Sequence, residues 1–227
     1  MPAQGVRVVP AQQLLLYAVT DRTWLGERTL AECVSQAIEG GATFVQLREK
    51  EASPAERIQL AYQLKDICQQ AGVPFVIDDD VECALQVGAD GVHVGQSDMA
   101  CARARQLLGP ECIVGVSVQT CEQALAAQEA GASYLGVGAL IPTATKPDAV
   151  DVTYQELAAI CQAVDIPVVG IGGLTAQTIP RFAGSGAAGA AVVSAIFAAS
   201  DCKAAARVVG IFSIIVVGIL IVVGISF

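Results

Sequence analysis

One phrase recurs along this chain: a stretch with helical apolar spacing, a glycine, then a short apolar run. "ECVSQAIEGGATFVQLRE" states it first, and "ECALQVGADGVHVGQ", "EQALAAQEAGASYLGVG" and "RFAGSGAAGAAVVSA" repeat it. A glycine just past a helix accepts the left-handed backbone that ends it. A continuous apolar run of four or five residues between small or polar neighbours marks a strand covered on both faces. Twice a proline opens the run instead, in "AGVPFVID" and "VDIPVVGIGG". The pattern predicts strands near 14–19, 43–47, 74–77, 91–94, 112–116, 134–138, 167–171 and 190–193. It predicts helices over 29–39, 54–71, 100–108, 120–130, 153–164 and 175–183, with a shorter one at 81–87.

Eight strands alternating with helices specify an α/β fold of the (β/α)8 TIM barrel type, whose usual size is about 250 residues. A doubly wound open sheet would need a Gly-rich phosphate turn after its first strand. That place reads "YAVTDRTWLGE" and has no such turn. With no linker or low-complexity stretch inside, residues 14–207 are expected to be one barrel domain, 1–13 an N-terminal extension and 208–227 a hydrophobic tail.

Composition narrows the class. The 227 residues carry a net charge of −9, which argues against a nucleic-acid partner but leaves anionic small molecules open, since a few local cations suffice for them. The eight cysteines form no C-x-x-C pair and there is a single histidine, so zinc is not expected and the cysteines read as small buried thiols in a reducing cytoplasm. The N-terminus lacks the apolar core of a secretory signal. The C-terminus is different: Val208 to Phe227 contains no charge. A bilayer is spanned by about 20 apolar residues, so one reading is a membrane anchor. The other is a last barrel helix followed by an apolar tail, and both stand on the sequence.

In such barrels chemistry gathers at the C-terminal ends of the strands. Those positions hold Gln46, Arg48 and Lys50 in "QLREK"; Asp78, Asp79 and Asp80 in "FVIDDD"; Asp98; Ser117; Thr143, Thr145 and Lys146 in "PTATKPD"; Gly173 in "GIGG"; and Val193 and Ser194 in "VVSA". Each has a plain structural reading. "REKE" suits a solvated charge run, "GIGG" a tight turn, the threonines turn formers, and His93 a satisfied core or rim residue. Together, on the strand assignment above, they fall on one face. Arg48, Lys50 and Lys146 beside Asp79 and Asp98 suit a Mg²⁺–diphosphate group: carboxylates hold the hard cation and the basic side chains take the remaining negative charge. Backbone N–H groups at helix starts in "IGGLT" and "VVSAI" offer a second anion site. A diphosphate site beside a phosphate site points to a transfer in which diphosphate leaves.

The motifs "YAVTDR", "GGATFVQLREK", "ADGVHVGQSD", "VGVSVQT", "GASYLGVGALIPTATKPDA", "IPVVGIGG" and "GAAGAAVVSAI", in this order over about residues 14–202, resemble the thiamine-phosphate synthase (thiamine-phosphate diphosphorylase) family. The resemblance implies a TIM-barrel transferase of thiamine biosynthesis. Hydroxymethylpyrimidine diphosphate would ionise, and the nitrogen of a thiazole phosphate would attack the pyrimidine methylene to give thiamine phosphate. It also implies that Gln46, Arg48 and Lys50 hold the pyrimidine diphosphate with Asp78 beside them, that Asp79 and Asp98 bind Mg²⁺, and that Ser117 and Lys146 contact the diphosphate. Thr143, Thr145, Gly173, Val193 and Ser194 would contact the thiazole phosphate. Lys146, Ser117 and Arg48 would then carry catalysis.

Two departures stand out. The family usually has Asn-Asp where this chain has Asp78-Asp79, and an ionised carboxylate cannot donate to a phosphate oxygen as an amide can. The family's last helix is usually amphipathic, whereas this chain turns apolar after Asp201. The competing readings are a thiazole tautomerase of the same fold, expected to use a histidine base, and a non-catalytic thiazole-phosphate-binding or membrane-tethered protein. Oligomeric state stays open, a homo-oligomer included.

Overall fold

Alternation along the strands sorts the side chains into two sets. Tyr17, Val19, Phe44, Val76, Ile113, Tyr134, Val169 and Ala191 pack together inside a closed barrel. Their strand neighbours Leu16, Ala18, Val45, Leu47, Ile77, Val92, Val114 and Leu135 pack outward against the helices. Burial on both faces explains why the strands read as unbroken apolar runs rather than as alternation of apolar and polar residues.

The computed structural model describes residues 5–141 and 151–216. The strands are β1 (Leu16–Val19), β2 (Phe44–Leu47), β3 (Phe75–Asp78), β4 (Gly91–Val94), β5 (Ile113–Val118), β6 (Tyr134–Val137), β7 (Val168–Ile171) and β8 (Gly189–Val192). All pair in parallel with their sequence neighbours, and β8 pairs with β1 (Tyr17 opposite Ala191) to close the barrel. The helices are α1 (Leu30–Glu39), α2 (Pro54–Ala71), α3 (Val81–Val87), α4 (Cys101–Leu108), α5 (Cys121–Glu129), α6 (Tyr154–Ala163), α7 (Ser194–Phe197) and α8 (Cys202–Val216).

Local chemistry sets the helix ends. Thr29 and Glu32 form a reciprocal capping box on α1, as do Thr153 and Glu156 on α6. Ser53 caps α2 ahead of Pro54, and Gly72 and Gly88 end α2 and α3 in the left-handed region that the sequence pattern requires.

Two expectations need correction. The helix expected over 175–183 is only a 3-10 turn, Ile179–Phe182. The Thr175 N–H donates to Thr178 Oγ1 (2.8 Å) and Pro180 has no N–H to give, so local side-chain bonds and a missing donor displace the α-helix. No α-helix therefore starts at "IGGLT", so any backbone N–H groups offered there are those of a turn and not of a helix start.

The second correction concerns the C-terminus. Cys202, Ala206, Val209 and Ser213, spaced four, three and four apart, form the buried face of α8. Ser213 is satisfied there by Val209 O (3.1 Å). A Cβ on Gly40 would lie 2.4 Å from Lys203 O, so a glycine ending α1 is what lets the two helices touch. Arg28 fastens the approach to α8 by donating to Ala199 O (2.6 Å) and Trp24 O (2.9 Å). The start of the expected tail thus belongs to the barrel's last helix. Among the described residues no helix is long and apolar enough to cross a membrane. Residues 217–227 lie outside the described residues.

At the other end, Val9 and the residues after it in the N-terminal extension are part of the barrel floor. Val9 is buried, its N–H donates to Ser133 O (3.1 Å), and Leu14 is fully covered in the 3-10 helix Ala11–Leu14.

Candidate functional site

The C-terminal mouth of the barrel opens on a cavity of about 560 Å³, within the range that holds small-molecule ligands. Period-two geometry carries the inward rows of β2, β3, β4 and β5 up to it. Phe44 is followed by Gln46 and Arg48, Val76 by Asp78, Gly91 by His93, and Ile113 by Gly115 and Ser117. Of the residues expected at the site, Gln46, Arg48, Asp78, Asp98, Ser117, Gly173, Val193 and Ser194 line this cavity. Thr143, Thr145 and Lys146 lie outside the described residues. Gln96 and Gln119 also line it; "GQSD" and "VQT" flanked the recognised positions without marking these two.

The end of β3 separates three adjacent carboxylates by turning sharply. Asp80 N–H donates to Asp78 O (2.7 Å), closing a three-residue turn around Asp79, whose φ is 60°. Asp79 is the only non-glycine among the described residues with positive φ, a strained conformation for a residue with a Cβ. Three interactions hold it: Asp79 N–H donates to His93 O (2.8 Å), Cys83 N–H donates to Asp80 (2.8 Å) so that Asp80 caps α3, and Asp80 pairs with Arg57 (2.6 Å). Asp80 is therefore a structural anchor, its negative charge placed at the N-terminus of α3. Asp78 continues the strand inward and Asp79 swings toward β4.

Around this turn, charges interleave. Lys50 Nζ contacts Asp79 and lies 3.2 Å from Asp78. Arg48 stands 3.9 Å from both Asp78 and Asp21. Burial lowers the Lys50 pKa, but the hydrogen bond to Asp79 and the charges of Asp78 and Asp79 outweigh it, leaving the ammonium above the ordinary lysine range. Asp98 receives Gly95 N–H (2.8 Å). Its pKa is raised by partial burial and by contact with the Asp79 carboxylate. Two acids from adjacent strand ends thus meet with a single ammonium beside them. This arrangement fits a small divalent cation, which would replace repulsion with shared coordination. Among the described residues no group of three or more His, Cys, Asp or Glu could hold a metal unaided.

The opposite wall carries no charge among its described lining residues. Gly136, Gly138, Gly172 and Gly173 face the cavity with Val193 and Ser194, which open α7. Gly172 (φ 94°) and Gly173 (φ 63°) turn back against the Ala139–Ile141 segment, and a Cβ on Gly172 would lie 2.6 Å from Ala139 Cα. Here the backbone itself forms the surface.

Beneath both walls runs a buried polar chain that sequence reasoning missed except for its ends. Gln46 Nε2 donates to Tyr17 OH (2.8 Å), Tyr17 OH meets Tyr134 OH (2.7 Å), Tyr134 OH meets His93 Nδ1 (2.8 Å), and His93 Nε2 meets Ser117 Oγ (2.9 Å). Burial pushes both tyrosine hydroxyls well above their ordinary pKa, so they remain protonated. His93 is a satisfied, buried residue, as its place in "DGVHVG" suggested.

Comparison with known proteins agrees with this geometry. The thiamine monophosphate synthase family model matches residues 16–196. The chain is 49% identical over 192 residues to the thiamine-phosphate synthase of Ruminiclostridium cellulolyticum, covering 85% of this chain and 91% of that one. It is 47% identical over 193 residues to the enzyme of the same name from Clostridium acetobutylicum, covering 85% and 92%. Among solved structures, a thiamine phosphate pyrophosphorylase from Pyrococcus furiosus superposes with a TM-score of 0.82 at 36% identity, over 89% of this chain and 96% of that one. A family match over residues 16–196, a matched barrel and near-complete coverage of these relatives place the chain in the thiamine monophosphate synthase family.

Proposed function

We propose that this protein is a transferase that condenses 4-amino-2-methyl-5-hydroxymethylpyrimidine diphosphate with thiazole phosphate, releasing diphosphate and thiamine phosphate. The observation that carries the reading is the pairing, across one cavity, of a wall bearing Arg48, Asp78 and Asp98 with a glycine-lined wall. The names of the relatives support it. Gln46, Arg48 and Lys50 hold the pyrimidine diphosphate, with Asp78 setting the position of both basic groups. Asp79 and Asp98 hold Mg²⁺, which when bound would neutralise charge on the departing diphosphate. Ser117 and Lys146 complete the leaving-group contacts, and Arg48, Ser117 and Lys146 carry the chemical burden. Gly173, Val193 and Ser194, with Thr143 and Thr145, receive the thiazole phosphate.

A dissociative departure needs stabilisation of leaving charge more than a strong base. The site is built accordingly: both ring nitrogens of the single histidine are engaged, one with Tyr134 and one with Ser117. This also weighs against a thiazole tautomerase working through a histidine base. The domain reading is a catalytic barrel from residue 14 that continues through α8, in the cytoplasm.

The decisive assay mixes the purified full chain with both substrates and Mg²⁺ and measures diphosphate and thiamine phosphate. Stoichiometric appearance of both is expected; binding of thiazole phosphate without diphosphate release would show a binding protein instead. Fractionation of cells expressing the chain with and without residues 208–227 tests the anchor separately, and an identical distribution removes it.

A further inference from the structure

The polar chain in the barrel core has a direction, and that direction decides what Ser117 can do. An amide nitrogen only donates, so the Gln46 Nε2 bond makes Tyr17 oxygen an acceptor. Tyr17 has one proton, and its short contact with Tyr134 (2.7 Å), in which either hydroxyl could be the donor, offers that proton an acceptor. Tyr134 then has its own proton for His93 Nδ1 (2.8 Å), which must be the unprotonated ring nitrogen. The ring's hydrogen therefore sits on Nε2 and is donated to Ser117 Oγ (2.9 Å). Ser117 accepts within the protein, and its hydroxyl hydrogen is left for the cavity it lines.

We propose that Tyr17, Tyr134 and His93 are positioning residues that fix the histidine tautomer and so hold Ser117 as a hydrogen-bond donor toward an anionic ligand. Were the chain reversed, Nε2 would take the serine's proton and Ser117 would present a lone pair to a phosphate oxygen, which is repulsive. The inference deepens the reaction proposed above and rests on it for the identity of the anion, a diphosphate.

The packing shows that the hydroxyls are not there to fill space. Phe44 packs against both tyrosines in the same aromatic cluster, with ring centroids 4.6 Å from Tyr17 and 5.5 Å from Tyr134, and needs no polar atom. Neighbouring strands make room for the rings instead. A Cβ on Gly115 would lie 2.2 Å from Tyr134 Cζ, and one on Gly136 would lie 3.3 Å from His93 Cε1. Two strand glycines, each unfavourable for strand stability, thus accommodate Tyr134 and His93.

The chain has one histidine, so its imidazole nitrogens can be read without assignment. In protein labelled with ¹⁵N-histidine at neutral pH, Nε2 is expected to show as the protonated, pyrrole-type nitrogen and Nδ1 as the pyridine-type acceptor. A protonated Nδ1, or a doubly protonated ring, overturns the proposal, and neither outcome depends on turnover. A failed assay for thiamine phosphate would instead sink the reaction and leave the tautomer as measured. In active protein, Tyr134→Phe should lower kcat about tenfold or more, by losing an oriented donor to developing charge. In a Ser117→Ala background the same change should lower it little further. Equal losses in both backgrounds would mean that Tyr134 acts only through packing. If Tyr134→Phe fails to fold, the wild-type spectrum still decides.

Discussion

The two walls of the cavity face each other and work by opposite means. The β2–β4 wall carries charge: Arg48, Asp78 and Asp98 line the cavity, and Lys50 and Asp79 contact those acids from outside the lining. The described β6–β8 wall is made of backbone, with glycines where side chains would obstruct. Charged side chains can exchange partners, as the proposed arrival and departure of a metal and a diphosphate would require. A backbone surface cannot rearrange cheaply, and it offers fixed geometry to a ligand that only has to be held. One wall is suited to managing a change of charge, the other to defining position.

Breaking the charged wall should have the largest effect. Asp79→Ala removes one of two acids at the cation position and should reduce kcat about 100-fold or more with both substrates saturating. Lys146→Ala, although outside the described residues, should do the same. Near-normal rates in steady-state assays would overturn the assignment of this wall. Breaking the backbone wall should show in binding and stability. Gly172→Ala places a Cβ 2.6 Å from Ala139 at a φ of 94°, and should destabilise the fold by about 2 kcal/mol in urea titration. Its KM for thiazole phosphate should rise more than its KM for the pyrimidine diphosphate.

Asp78→Asn is a finer test. The Asp78 carboxylate lies 3.2 Å from Lys50 and 3.9 Å from Arg48. An amide would free both cations for phosphate and add a donor. Initial rates should stay level or rise a few-fold, and a large loss would show that Asp78 has a role of its own. The smallest effect distinguishes the walls by salt. The KM for the diphosphate substrate should rise with ionic strength more steeply than that for thiazole phosphate, because exposed charge pairs are screened and backbone donors less so.

The strands were legible because each is buried on both faces, and the predicted positions match the observed ones within two residues. The strand-end residues were legible for the same reason, since knowing where an apolar run stops locates the mouth. What escaped the sequence is whatever depends on conformation within an element. Nothing in "DDD" says which acid takes a left-handed turn. Tyr17 and Tyr134 count as apolar in a strand pattern, so a hydroxyl chain between strands distant in sequence leaves no trace. In α8 hydropathy runs against burial: Ile211 is 56% exposed while Ser213 is fully covered. A uniformly apolar sequence therefore hid the face that docks on the barrel.

The filled floor of the barrel has a consequence for traffic. Val9, Leu14, Phe44 and the two tyrosines occupy the interior below the cavity, so the mouth serves as both entrance and exit for its occupants. Two substrates must queue at one doorway and two products must leave by it. Among the described residues, a filled floor thus ties arrival and departure to the same opening.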